Sequence, residues 1–299
     1  MDDPRFFKRI LGPDPASWNG WKTYLRALFG LPIPDDEMAF FRESTGRETP
    51  PADPVKESFV LSGRRPGKSR MAALIAVYLA TSRDWRKILQ SGETGVVFIL
   101  SVDRPQSQIV KKYVSAILHS SATFKSLVER ELAEEIILKN GVTISIRASS
   151  FRTVRGYSVI AAILEELAFW RSDESANPDR EIINALRPAM ANVPGSVLLG
   201  ISTAYMAAGF MFDAFRRHWG REDGALIWKS TTEKMNPTFN RREIERAMAE
   251  DPDAARAEYF SEFRQDITAF LSTDAVNAVV TPPKVRIAAG LECPIFGLR

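Results

Sequence analysis

The sequence predicts an α/β fold: a mostly parallel sheet with helices on both faces, preceded by a helical N-terminal segment. Three observations predict it. From residue 58 onward, apolar runs of strand length alternate with longer stretches of helical period. Two of those runs, "SVIAAIL" (158–164) and "SVLLGIS" (196–202), are apolar almost throughout, as expected of strands buried on both faces. Finally, 299 residues with 45% hydrophobic and 26% charged content suffice for one large domain or two smaller ones with a sizeable core.

Residues 1–57 are rich in Trp, Phe and Pro and read as short helices followed by an extended connector, ended by Pro50, Pro51 and Pro54. "SFVLS" (58–62) reads as a strand and 68–81 as a helix. "GVVFILS" (95–101) is a strand, followed by a helix from Pro105 to about Leu118, with proline in the first turn where its missing N–H costs nothing. "EIILKNGVTISIRA" (135–148) is two β runs joined at Asn140-Gly141, a hairpin signal. The strands at 158–164 and 196–202 are followed by "ALIWKST" (225–231). Helical stretches fall at about 178–190, 209–218, 240–250 and 252–264. The chain thus divides into the N-terminal segment (1–57), a main domain (58–265) and a tail (266–299) that reads as a linker or the start of something missing.

Composition removes several classes of function. One cysteine, Cys293, and two histidines, His119 and His218, exclude a Cys/His zinc site and a disulfide framework. No apolar run reaches membrane-span length, so no membrane partner is expected. The formal net charge of +3 permits a nucleic-acid partner without demanding one. Any such contact needs a local basic face. Candidates are the pairs Lys111-Lys112, Arg216-Arg217 and Arg241-Arg242, although such a pair on a helix is more often a solvated face.

The chemistry concentrates in "SGRRPGKS", Ser62 to Ser69. A phosphate-binding loop needs a buried strand, a tight turn of backbone N–H groups and a helix whose N-terminus faces the anion. All three stand here in order. The general pattern is G-x-x-x-x-G-K-[ST]; here Ser62 holds the first position and the glycine comes one residue late, at Gly63. Gly67 lets the backbone approach phosphates and Lys68 reaches them as a point charge. Ser69 offers a hydroxyl to Mg²⁺, while Arg64 and Arg65, flanking Pro66, supply guanidinium forks. The same residues also suit a solvated basic turn with a helix-capping serine. Two further strand ends bear on the choice. The run Val159–Leu164 ends in Glu165-Glu166, one carboxylate for a Mg²⁺ shell and one to polarise water, or else two acids opening a helix. The strand 196–202 ends in Ser202-Thr203, a hydroxyl pair placed to touch a γ-phosphate, or a turn that favours such residues.

Several stretches in this order resemble the large terminase subunit of tailed bacteriophages: "STGRETP", the loop with its helix, "KNGVTISIRASSFRTVRG", "AAILEELAFWRSDESANPDREIINALRPAM", "LLGISTAY", "NPTFN" and "DPDAARAEYFSEFR". The resemblance covers roughly residues 40–275, and the displaced-glycine, arginine-rich loop is similar to that family's deviant phosphate loop. It implies a RecA-like phosphate-loop NTPase fold of the ASCE type, with ATP and Mg²⁺ bound by Ser62–Ser69 and the metal held by Ser69 and Glu165. Glu165 stands where the family usually has Asp, which puts the tightness of metal binding in question. Glu166 matches the catalytic glutamate, and Ser202 and Thr203 match the coupling motif. Arg155, in "TVRGYS", matches an arginine that in some members acts in trans on a neighbouring subunit's nucleotide; the alternative is a structural arginine paired with Glu165 or Glu166.

The implied activity is ATP hydrolysis driving double-stranded DNA into a procapsid in the host cytoplasm. The implied partners are the portal protein and the small terminase subunit, and the implied assembly is a homo-oligomeric ring. Family members usually add a nuclease domain. Asp266, Asp274 and Glu292 show no arrangement for two metals, so no nuclease activity is expected of this chain. Two other readings share these residues: a helicase-type nucleic-acid-dependent ATPase, and a nucleotide-binding remnant that does not hydrolyse.

Overall fold

The structure is a computed structural model. It describes residues 10–12, 14, 16–149, 156–170 and 178–265. Arg155 and the tail carboxylates Asp266, Asp274 and Glu292 lie outside them.

Among the described residues, eight strands form one sheet: β1 (Glu57–Ser62), β2 (Gly95–Ser101), β3 (Val128–Glu131), β4 (Glu135–Leu138), β5 (Val142–Ala148), β6 (Ser158–Glu165), β7 (Val197–Ser202) and β8 (Leu226–Ser230). Their spatial order is β3-β4-β5-β2-β6-β7-β1-β8. From β5 to β8 every pairing is parallel; β3-β4 and β4-β5 are antiparallel. The hairpin turns at Asn140-Gly141, with Gly141 at φ +83 and the Asn140 side chain accepting from Val142 N–H. The expected mostly parallel sheet is therefore present. β3 was not anticipated, because "VERE" is too polar to read as a strand. It is an edge strand whose Glu131 pairs with Lys111 at 3.2 Å.

Ten α-helices flank the sheet among the described residues, besides three short 3-10 turns: α1 (Asn19–Leu28), α2 (Asp35–Thr45), α3 (Lys68–Thr81), α4 (Arg104–Leu118), α5 (Ala122–Leu127), α6 (Pro178–Ala191), α7 (Phe210–His218), α8 (Thr232–Met235), α9 (Arg241–Glu250) and α10 (Pro252–Phe260). The last stops short of residue 264 because Ser261 takes a left-handed conformation, φ +60. None is long and apolar enough to cross a membrane.

Alternation along each strand feeds two cores. Val60, Val97, Ile99 and Ile201 face α1, α3 and α4. Phe59, Leu61, Phe98 and Leu100 face α6 and α7. Each such side chain, fully buried, contributes about 1.5–3 kcal/mol. The N-terminal segment belongs to the first core: Trp21, Tyr24 and Trp228 pack edge to face with centroids 5.5–5.7 Å apart.

One irregularity reaches the chemistry. β2 and β6 slip register between Val96 and Val97, whose partners are Val159 and Ala161. The extra residue puts Ile160 and Ala161 in the same core. It also inverts the parity of everything after it: Ile163 faces α3 and α4, and Glu165 follows Ile163.

Candidate functional site

β1, β6 and β7 end at one edge of the sheet, the edge where parallel α/β sheets bind ligands. β1 leads into α3 through residues 63–67. Gly67 is the N-cap of α3 at φ +88, ψ +27 and offers no side chain to the helix. α4, α8, α9 and α10 are capped by Asp103, Thr231, Asn240 and Asp251. The first intrahelical bond of α3 is Met71 N–H to Gly67 C=O, 2.9 Å, so the first-turn N–H groups stay open to an anion.

The loop is gripped by residues from both sides of it in sequence. A Cβ on Gly67 would run into the Trp18 ring, and Trp21 Nε1 donates to Pro66 C=O at 2.6 Å. A Cβ on Gly63 would collide with Thr232 Oγ1 and the carbonyls of Glu258 and Tyr259. Thr232 Oγ1 donates to Arg64 C=O at 2.9 Å and Asn236 Nδ2 to Arg65 C=O at 3.2 Å. Arg64 N–H donates to Glu258 C=O at 2.6 Å, while its guanidinium lies 3.3 Å from the Glu258 carboxylate. Arg65 is held at φ +67, a strained value for a non-glycine residue. Ser62 is buried, and its hydroxyl has no partner.

Lys68 is 7% exposed. Its ammonium donates to Gly63 C=O at 2.9 Å, Ser62 C=O at 3.3 Å and Thr203 Oγ1 at 2.7 Å. Glu166 Oε1 lies 3.6 Å away. Burial pushes the Lys68 pKa down, and the Glu166 charge opposes the shift.

The two glutamates part company. Glu165, on the α3/α4 side, is wholly buried. Its Oε2 accepts from Ser101 Oγ at 3.3 Å and Gln106 Nε2 at 3.2 Å, while Oε1 has no partner. Burial raises its pKa, and its polar neighbours Ser69 and Gln106 work the other way. Glu166 takes φ +52, ψ +41. Its N–H still bonds Ile201 C=O at 2.7 Å, so the strained residue is tied to β7. Its Oε2 lies 3.3 Å from Ser202 Oγ and accepts from Thr203 N–H at 3.2 Å. A cleft of about 450 Å³ opens beside it, lined in part by Arg64, Gln106, Glu166, Thr203 and Tyr205.

The sequence-predicted residues thus gather in two adjoining groups: Lys68, Glu166, Ser202 and Thr203 on one side, Ser69 and Glu165 on the other. Ser101, Gln106, Trp18, Trp21, Thr232 and Glu258 escaped sequence reading. Only "DRPQ" at 103–106 carried a signal, and it reads as an ordinary helix start. Of the basic pairs, Lys111 is engaged by Glu131, Arg241 by Glu233 at 2.7 Å, and Arg216 lies over Phe212.

No protein-family model matches the sequence, and no curated protein does. Solved structures do. An arginine-to-alanine mutant of the Thermus phage P74-26 large terminase ATPase domain matches with a TM-score of 0.55 at 17% identity, over 80% of this chain and 98% of that one. A second structure of that domain gives 0.53 at 18% identity, over 80% and 97%. The HK97 bacteriophage large terminase gives 0.56 at 16% identity, over 82% of this chain and 55% of that one. The fold is that of a phage large-terminase ATPase domain. The chain spans nearly the whole of the isolated terminase ATPase domain and about half the length of the HK97 terminase. At such identities the likeness concerns the fold; the chemistry rests on the side chains described above.

Proposed function

We propose that this chain is the ATP-hydrolysing motor domain of a phage DNA-packaging terminase, moving double-stranded DNA into a procapsid. The observation that carries the reading is the meeting of Lys68, Glu166 and Thr203 within 3.6 Å at an uncapped helix N-terminus. A solvated basic turn does not bury its lysine against a carboxylate and a hydroxyl.

In this reading the open N–H groups of α3 and the Arg64 and Arg65 guanidiniums receive the triphosphate. Lys68 exchanges the Ser62 and Gly63 carbonyls for phosphate oxygens, keeping its positive charge where negative charge develops. Glu166 orients the attacking water and takes up its proton. Ser202 and Thr203, which bond the same carboxylate, feel the change when the γ-phosphate leaves. Arg155 is proposed to act on a neighbouring subunit's nucleotide, which requires a ring of subunits around the DNA. The portal protein and the small terminase subunit are the proposed partners.

The residues fit a Mg²⁺ ion. Glu165 Oε1 is buried without a partner, and the Ser69 hydroxyl shares the Gln106 amide with the same carboxylate. Among the described residues no cluster of three or more Asp, Glu, His or Cys forms a metal cage, which agrees with the few protein ligands Mg²⁺ takes beside phosphates and water. Ser69 and Glu165 would hold the ion, Glu165 directly or through water, and it would neutralise charge on the phosphate oxygens.

The test is ATP hydrolysis by the wild type and by Glu166→Ala, with and without Mg²⁺ and double-stranded DNA. Mg²⁺-dependent hydrolysis that the substitution abolishes, and that DNA stimulates, supports the motor. Hydrolysis that survives the substitution would remove Glu166 from its role. Failure of the wild type to bind or hydrolyse ATP, with DNA present, would overturn the reading.

A further inference from the structure

Glu165 presents an uneven carboxylate. One oxygen is engaged by two donors and the other, equally buried, by none. An isolated carboxylate buried this way is costly unless its neighbours fix it. The donors come from one place. Ser101 is the last residue of β2, and Gln106 lies in the first turn of the helix that follows.

The Gln106 amide does more than touch Glu165. Its Nε2 lies 3.2 Å from Glu165 Oε2 and 3.3 Å from Ser69 Oγ. An NH₂ group has two hydrogens, and both partners present oxygen, which fixes the nitrogen toward them. The local sequence offers the side chain another use. Asp103 is the N-cap of α4 and its carboxylate accepts from Gln106 N–H at 2.8 Å, so "DRPQ" has the form of a capping box, in which the glutamine reaches back to the cap residue's N–H. The Gln106 amide nitrogen turns to Ser69 and Glu165 instead. Asp103 and Pro105 fix the first turn of α4, and that turn aims the glutamine across the mouth of the cleft.

We propose that Gln106, with Ser101 behind it, is a positioning residue that holds Ser69 and Glu165 as a preformed pair for the divalent cation accompanying the nucleotide. This rests on the nucleotide site proposed above. Gln106 engages Glu165 Oε2 and leaves Oε1 for the cation.

The experiment is equilibrium binding of a fluorescent, non-hydrolysable ATP analogue to the full chain, titrated with Mg²⁺ and repeated in EDTA. Wild type, Gln106→Leu and Ser101→Ala are compared, with the melting temperature of each. The expected result is metal-free affinity within about twofold of wild type and a Mg²⁺ midpoint raised about tenfold or more in Gln106→Leu, less in Ser101→Ala, as for other groups that orient metal ligands. Gln106→Glu, which sets a second carboxylate beside Glu165, is expected to disturb the midpoint differently from Gln106→Leu. An unchanged midpoint in Gln106→Leu, with wild type binding in a Mg²⁺-dependent way, overturns the role of Gln106 alone. Equal loss of affinity with and without Mg²⁺ also overturns it, by making Gln106 merely structural. No nucleotide binding by the wild type overturns the site and this proposal together.

Discussion

Lys68 Nζ sits 2.7 Å from Thr203 Oγ1, although 135 residues separate them in sequence. The contact joins the loop after β1 to the end of β7, and Thr203 N–H in turn donates to Glu166. Thr203→Val keeps the volume, removes the hydroxyl and leaves a buried ammonium short of one acceptor, a loss of about 1–3 kcal/mol. The expected outcome is kcat reduced about tenfold or more with nucleotide affinity changed less, read from steady-state kinetics beside direct binding.

Glu166 Oε2 accepts from Thr203 N–H at 3.2 Å, and a conservative substitution separates that contact from the proposed chemistry. Glu166→Gln preserves the shape and the acceptor for Thr203 N–H but removes the proposed base. Hydrolysis is expected to fall about 10²-fold or more, with nucleotide binding retained. Equal loss of binding and turnover would count against a role confined to the chemical step.

Gly67→Ala tests the loop. The left-handed backbone costs an L-residue about 1–2 kcal/mol, and the added Cβ runs into Trp18. The melting temperature is expected to drop and nucleotide affinity to fall. Adding Trp18→Ala would relieve the clash but not the backbone strain, so the double variant should recover affinity only in part.

Trp21→Phe removes the bond to Pro66 C=O and keeps most of the packing. A stability loss of about 1 kcal/mol is expected in denaturant unfolding. A larger fall in nucleotide affinity than in stability would show that Trp21 sets the loop's shape.

His218, in the last turn of α7, has its pKa pushed down by burial and by the neighbouring Arg217 charge. The folded state therefore prefers the neutral ring. That stability is present above the ordinary histidine pKa and is lost as pH falls through the lowered folded value. Melting temperature measured from pH 7 to pH 5 should fall more steeply for the wild type than for His218→Gln.

Most of the sheet was legible because its strands are apolar on both faces, and the loop because Gly67-Lys68-Ser69 follows a buried strand. The slip beside Val96 and Val97 was not: a bulge leaves no mark in a run as uniform as Val159–Leu164, yet it decides which face Glu165 takes. β3 was hidden by its charges, since an edge strand needs little apolar surface. The Gln106 contact was hidden because side-chain direction at a helix start depends on what lies across the sheet edge. Trp18, Trp21, Thr232 and Glu258 converge on the loop only once segments on both sides of it in sequence have come together, and no local pattern encodes that.

The grip on the loop between β1 and α3 has a kinetic side. Trp18 and Trp21 lie well upstream of the loop, and Thr232, Asn236 and Glu258 lie more than 160 residues downstream. Contacts that distant in sequence close late, because the entropy of the intervening chain must be lost first. During synthesis β1 and α3 emerge early, yet the loop between them has no fixed shape until β8 has paired with β1 and α8–α10 have settled on it. A partly made chain would own the sheet's middle but no finished loop, and on the proposed function competence to hold phosphate would wait for α10.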